Sequence, residues 1–298
     1  MKVLITGLNN YLARKVAACL AEADYEVTCL IRNRKLFREH ISEKHRVNMM
    51  EGDLFRGENL AGIDADTAVA FYFNQTPVNA LDMRIEMELL ALQKYIDTLK
   101  RTACQHLIYV TKLVDGNVDK INSYIRETGL NYTIVRASNI IGKGSVLMTI
   151  LAKMSMQRLV LVSREFAKSR CQPVYLADIC TYFNYMLLDP RTYGETYDIG
   201  GPEVMTYKEI FERYLDVLKL RRKVMTLPAL GTLVSNVMTR YVYRFEQDIS
   251  AALNLNVRRN LICKKNGLRE LYPLKLTPFR EAIPVALGLV EIGSNKSG

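Results

Sequence analysis

The residues best suited to chemistry stand at the start of the chain, in the run Thr6-Gly7-Leu8-Asn9-Asn10-Tyr11-Leu12-Ala13. A strand that turns sharply into a helix presents free backbone N–H groups at the helix start, and such a turn stabilises an anionic diphosphate. Gly7 permits the tight turn, and Asn9, Asn10, Tyr11 and Leu12 carry the N–H groups across it. Asn10 is the exception, because its Cβ stands where backbone should approach phosphate. Asn tolerates left-handed dihedrals better than other non-glycine residues, so the expectation is weakened binding rather than none. Ala13 leaves a methyl group between helix and sheet, which the packing can accept.

A second group lies where the next strands end. An acidic residue after the second strand would accept hydrogen bonds from ribose hydroxyls and favour NAD. This chain has Arg32, followed by Arg34 and Lys35, and a guanidinium there suits a 2′-phosphate, so NADP is expected ahead of NAD. The competing reading is a solvent-exposed basic turn. Gly52-Asp53-Leu54, directly after the third strand, places Asp53 beside an adenine amino group. Asn74 and Gln75 after the fourth strand, Thr111 after the fifth and Ala137-Ser138-Asn139-Ile140 after the sixth are expected to line the same crevice at the nicotinamide end. Ligands bind outside the carboxyl ends of such strands, where the strand order reverses. For each of these the alternative is an ordinary polar loop residue.

Strand-like and helix-like segments alternate from the first residue, the pattern of a parallel sheet covered on both faces. Strands are predicted over residues 2–6, 26–31, about 46–50, 67–73, 106–111 and 132–136. Helices are predicted from Leu12 to about Ala23, over roughly 81–102 behind Pro77, and over 118–127 closed by Gly129. Beyond Arg136 the texture loosens: helices to about Met156 and over 176–188, a strand at 196–199, and a helix opened by Thr206 with Glu209 three positions on. The fold class is therefore α/β, a Rossmann-type doubly wound parallel sheet over residues 1–140. A smaller C-terminal α/β lobe, residues 141–298, is expected to pack on that core and to bound the substrate or a partner.

With 298 residues, 49% hydrophobic and 24% charged, the chain is long and apolar enough for a full core and too apolar for disorder. The longest uncharged stretch, Val224 to Thr239, has 16 residues and is broken by Pro228, Gly231 and Asn236. That is below the roughly 20 apolar residues of a membrane-spanning helix. No secretory h-region precedes the first strand, so a cytoplasmic protein is expected. The six cysteines include no C-x-x-C pair and His40, His45 and His106 are not clustered, which suits small buried hydrophobes rather than a metal site. From Lys219 onward, 14 basic residues face five acidic ones, so this region holds +9 of the net +10. No nucleic-acid motif accompanies the basic pairs, and a solvated face is expected, with weak contact to acidic membrane or a partner as the remaining use.

These residues together resemble the extended and atypical short-chain dehydrogenase/reductase families, particularly the NmrA-like and epimerase-like NAD(P)H-binding proteins. The resemblance runs through Asn10-Tyr11-Leu12-Ala13, Leu30-Ile31-Arg32-Asn33, Glu51-Gly52-Asp53-Leu54, residues 129–137, Ile140-Ile141-Gly142, Pro173-Val174 with Asp178, residues 196–202 and residues 276–282. It implies a nicotinamide dinucleotide and, in active members, a Tyr general acid with a Lys four residues on. Registered on Arg126 to Arg136, those positions fall at about Val114 and Val118, neither of which can move a proton. Thr111 occupies the Ser/Thr position, and Lys112, Lys120 or a water is the remaining source of a proton. Gly-x-Ser-x-Gly and His-Glu-x-x-His are absent. The resemblance thus implies an oxidoreductase without the usual dyad or, alternatively, a non-catalytic NADPH sensor or assembly protein.

Overall fold

The computed structural model describes residues 1–34, 46–74, 82–113, 119–227 and 242–290. Gln75, Val114 and Val118, with Lys35, His40, His45 and Pro77, lie outside the described residues.

Seven strands form one parallel sheet: β1 (Lys2–Thr6), β2 (Glu26–Ile31), β3 (Asn48–Glu51), β4 (Thr67–Phe73), β5 (His106–Lys112), β6 (Tyr132–Ala137) and β11 (Thr196–Ile199), with β7 (Ile140–Ile141), β8 (Leu159–Val162), β9 (Arg170–Cys171) and β10 (Val174–Tyr175) falling between β6 and β11 in the chain. Their order is β11-β6-β5-β4-β1-β2-β3, so the direction of winding reverses between β1 and β4. Register is regular from Val3 to Thr6 across that point, with Leu4 opposite both Thr28 and Ala70, and it shifts by one residue on β4 between Lys2 and Val3. β4 and β5 read as near-unbroken apolar runs because both faces are covered: every residue from Val69 to Phe73 and from Leu107 to Val110 is buried. Helix α1 (Tyr11–Glu22) buries Leu12, Ala13, Val16, Ala17 and Leu20 at helical spacing. Helices α2 (Asp82–Leu99) and α3 (Asp119–Glu127) contribute Leu92, Tyr95, Ile96, Leu99, Ile121 and Ile125 to a core with Leu4, Tyr72, Leu107 and Tyr109.

The chain divides into two compact units. The first comprises Met1–Ala137, Ile179–Asp198 and Lys265–Tyr272, so the chain returns to it twice after the boundary near residue 140 suggested by the sequence. The physical reason is local to the sheet: residues 196–199 add a seventh strand beside β6, with the Ile134 N–H donating to Glu195 O. Phe183 also packs edge-on against Phe71, ring centroids 5.5 Å apart.

The second unit comprises Ser138–Asp178, Ile199–Lys264 and Pro273–Gly298. It contains three two-stranded ladders: β7 (Ile140–Ile141) with β10 (Val174–Tyr175), β8 (Leu159–Val162) with β13 (Lys223–Thr226), and β9 (Arg170–Cys171) with β12 (Met205–Thr206). The expected capping box is present, Thr206 and Glu209 exchanging side-chain and backbone bonds at the start of the helix Tyr207–Val217. All six cysteines are free thiols. Among the described residues, no helix is long and apolar enough to cross a membrane and no group of His, Cys, Asp and Glu could hold a metal ion.

Candidate functional site

The β1–α1 turn is closed by the Asn10 N–H donating to Gly7 O at 2.8 Å. Gly7 has φ +87°, and a Cβ added there would stand 2.5 Å from the Phe73 carbonyl oxygen, so both backbone freedom and close approach to β4 require glycine. Arg14 grips the outside of the turn, donating to Leu8 O at 2.8 Å and Asn9 O at 3.1 Å.

Asn10 is extended, φ −77° and ψ 131°, rather than left-handed, and it is the N-cap of α1. Its Oδ1 accepts from the Leu12 N–H at 2.9 Å, and its Nδ2 donates to Asn74 O at 3.4 Å. The side chain thus satisfies one of the orphan donors that a phosphate would otherwise use. It does not fill the hollow beside it. A cavity of about 250 Å³ is lined there by Thr6, Gly7, Leu8 and Asn9 on one side, and by residues from Leu30, Arg32, Gly52 and Leu54 on the other.

Arg32 sits at the rim, its guanidinium 5.1 Å from the centre of the Phe55 ring and its Nε 3.5 Å from Asp53 Oδ2. The stacking fixes a long side chain that is 64% exposed. Arg34 serves β3 instead, donating through Nη2 to Met49 O at 2.6 Å. Asp53 is held by its own loop: Oδ1 accepts from the N–H groups of Phe55 at 2.8 Å and Arg56 at 3.3 Å, an Asx-turn. Leu54 lines the cavity, whereas Asp53 lines a neighbouring depression with Arg32, Arg56 and Glu58.

Asn74 is buried at the end of β4, its Nδ2 donating to Thr111 Oγ1 at 3.4 Å, and Thr111 is itself buried at the end of β5. Thr111 stands opposite Arg136, and Lys112 opposite Ala137, so Thr111 and Ala137 close the row of strand ends on that side of β1. Arg136 is turned to another task, its Nε 2.7 Å from Asp198 Oδ1. Asn139 belongs to the second unit, where its Nδ2 donates to the Tyr207 hydroxyl at 2.7 Å and its Oδ1 accepts from Asn256 at 3.1 Å. Burial raises the Tyr207 hydroxyl well above its ordinary range.

Four cavity residues went unnoticed in the sequence: Phe55, Tyr72 on β4, and Glu88 and Ala91 on α2. Tyr72 reads there as an ordinary core aromatic. Glu88 had a signal, since it sits on the apolar stripe of its helix.

Strand order and turn together define a Rossmann-type α/β fold, with a cavity at the β1–α1 turn. Among solved structures, the chain is similar to Citrobacter sp. triphenylmethane reductase complexed with NADP(H), at TM-score 0.71 and 16% identity over 96% of this chain and 100% of that one. It is similar to UDP-glucose 4-epimerase of Thermotoga maritima with UDP-glucose, at TM-score 0.71 and 14% identity over 97% and 98%. It is also similar to dTDP-glucose 4,6-dehydratase of Bacillus anthracis in complex with NAD, at TM-score 0.71 and 13% identity over 97% and 96%. No protein-family model and no curated protein sequence matches the chain.

Proposed function

We propose that this chain binds a nicotinamide dinucleotide, NADP ahead of NAD, as an atypical short-chain dehydrogenase/reductase. The observation that carries the reading is the cavity between the Gly7 turn and Arg32, which combines helix-start N–H groups with a fixed guanidinium. The turn from Gly7 to Leu12 would hold the diphosphate and Arg32 the adenosine 2′-phosphate, with Asp53 and Leu54 at the adenine end. Asn74, Thr111 and Ala137 are assigned to the nicotinamide end. The chemistry the dinucleotide supplies when bound is hydride transfer at its nicotinamide ring. A cytoplasmic location and a second partner, a small molecule or a protein, complete the proposal.

A non-catalytic NADPH sensor or assembly protein is the second reading, and the sequence favours it at one point. Val114 and Val118 occupy the positions where the resemblance places the proton-moving pair. Lys120 is engaged on the surface with Glu86 at 3.1 Å and Lys112 is exposed beside Thr111, so that Lys112, Lys120 or a water stays the source of a proton if turnover occurs. Fluorescence titration of the purified protein with NADPH and NADH tests the binding, with Arg32→Asp as the control. Loss of NADPH preference in that variant supports the assignment; absence of binding in the parent refutes both readings. Oxidation of NADPH across a carbonyl panel would favour the enzyme, and tight binding without turnover the sensor.

A further inference from the structure

We propose that Cys19 and Cys180 form a redox modification site: an oxidant of the peroxide class joins the two thiols in a disulfide that ties α1 to the helix Leu176–Met186. The assignment is independent of the dinucleotide reading.

Both cysteines lie in the first unit, each at the margin of a buried helix face. Along α1 the stripe is Leu12, Ala13, Val16, Ala17 and Leu20, and Cys19, three positions after Val16, is half-buried at its edge. Along the second helix Ile179, Tyr182, Phe183 and Met186 are buried, and Cys180 is half-buried beside them. Phe183 fixes that helix over the sheet, its ring 5.5 Å from Phe71 and 6.3 Å from Phe73. Phe73 is also the residue against which Gly7 turns into α1. The Cys180 thiol donates a hydrogen bond to the Cys19 sulfur. Sulfurs in such contact have converging Cα–Cβ bonds, and rotation about those bonds brings them toward the ~2.05 Å of an S–S bond.

The other thiols lack this arrangement. Cys29, Cys171 and Cys263 are buried, and the Cys104 thiol is spent on His106 O. Burial pushes the thiols of Cys104 and Cys171 up to about 11. Cys19 moves the opposite way. The hydrogen bond from Cys180, helped by the Lys15 ammonium one turn earlier, lowers its thiol against the effects of burial and the Glu22 carboxylate. The thiolate is the nucleophile, so Cys19 is the group that meets the oxidant. The bond to Cys19, and then burial, keeps the proton on Cys180.

With hydrogen peroxide the Cys19 thiolate attacks one oxygen, an S–O bond forms, the O–O bond breaks and the leaving hydroxide takes a proton to become water. Cys19 is then a sulfenic acid. The Cys180 sulfur attacks the Cys19 sulfur, the S–S bond forms, the S–O bond breaks, and the thiol proton leaves with the hydroxyl as a second water. Two thiols have lost two electrons and one peroxide has become two waters. A dithiol reductant reverses the bond by exchange, and in a reducing compartment such a disulfide is transient, which suits a switch.

The test treats the full chain with hydrogen peroxide, alkylates the remaining thiols, digests it without reductant and identifies linked peptides by mass spectrometry. The folded parent should give a Cys19–Cys180 peptide as its main linkage, and dithiothreitol should remove it. Cys180→Ser, which lacks the resolving thiol, should carry Cys19 to sulfenic and sulfinic acid instead. Cys19→Ser should slow oxidation of Cys180 at least about tenfold. The linked peptide of the parent needs no variant, so a misfolded variant leaves the test intact. Absence of that peptide, a main linkage between other cysteines, an equal yield from urea-unfolded chain, or unchanged oxidation of Cys180 in Cys19→Ser would each overturn the proposal.

Discussion

Replacing Asn10 by Gly isolates the conflict built into the phosphate turn. In the structure the Asn10 amide oxygen already occupies the Leu12 N–H at 2.9 Å, so a diphosphate arriving at α1 must displace it or do without that donor. Asn10 is extended, and glycine is not needed for its backbone angles. Glycine is also a competent N-cap, costing a few tenths of a kcal/mol relative to Asn. A backbone N–H released to a phosphate oxygen makes a charge-assisted bond of about 1.5–3 kcal/mol. Set against displaced water and the mobility glycine adds, a net gain of about 1–2 kcal/mol is expected, or roughly 5–30-fold tighter binding of NADPH. Fluorescence titration reads the affinity, and urea unfolding of the same preparation reads the stability. Asn10→Ala is the companion: it loses the cap, for about 0.5–2 kcal/mol of stability, and retains the Cβ. A folded Asn10→Gly protein that binds NADPH no better than the parent would refute the argument that the side chain competes with phosphate.

Other perturbations test the frame around the site. Gly7→Ala should cost at least about 1–2 kcal/mol in urea unfolding from its positive φ, and more from the 2.5 Å approach to Phe73 O, with loss of NADPH binding in the same preparation. Asp198→Ala strips the Arg136 guanidinium of its partner and removes the acceptor of the Lys265 N–H, both at a fully buried carboxylate. Unfolding experiments should show a loss of about 3 kcal/mol or more. His106 is buried and held neutral, its pKa lowered by desolvation from 6.5 to about 4. The unfolded chain therefore takes up the proton first. Stability contributed by the neutral ring is whole above pH 6.5, declines between 6.5 and about 4, and is lost below that, by up to roughly 3 kcal/mol. Denaturant midpoints at several pH values should fall less steeply in His106→Gln than in the parent.

Much of the secondary structure was legible in the sequence because its signals are local. Six strands ending in turn residues, helices with a buried stripe and the Thr206 capping box each depend on neighbours a few positions apart, and they fall within a few residues of where periodicity places them. Residue types also located the turn at Gly7 and the basic rim at Arg32. Short ladders such as β8 with β13 carry too few residues for a period to emerge, and their pairing joins segments more than 60 positions apart. Asn10 shows how one residue can answer two questions. Read as a missing glycine it is a defect, whereas its position before α1 also made it a good N-cap, and only the coordinates show its amide oxygen on the Leu12 N–H. The sequence by itself determined the alternation of strands and helices, the residue types at the turn and the absence of a proton-moving pair at positions 114 and 118. Tertiary structure decided the rest: a seventh strand drawn from residues 196–199, Asp53 committed to its own loop, and Glu88 carried by α2 into the cavity. Side-chain direction and hydrogen-bond competition depend on atoms brought together from distant parts of the chain, and no local pattern encodes them.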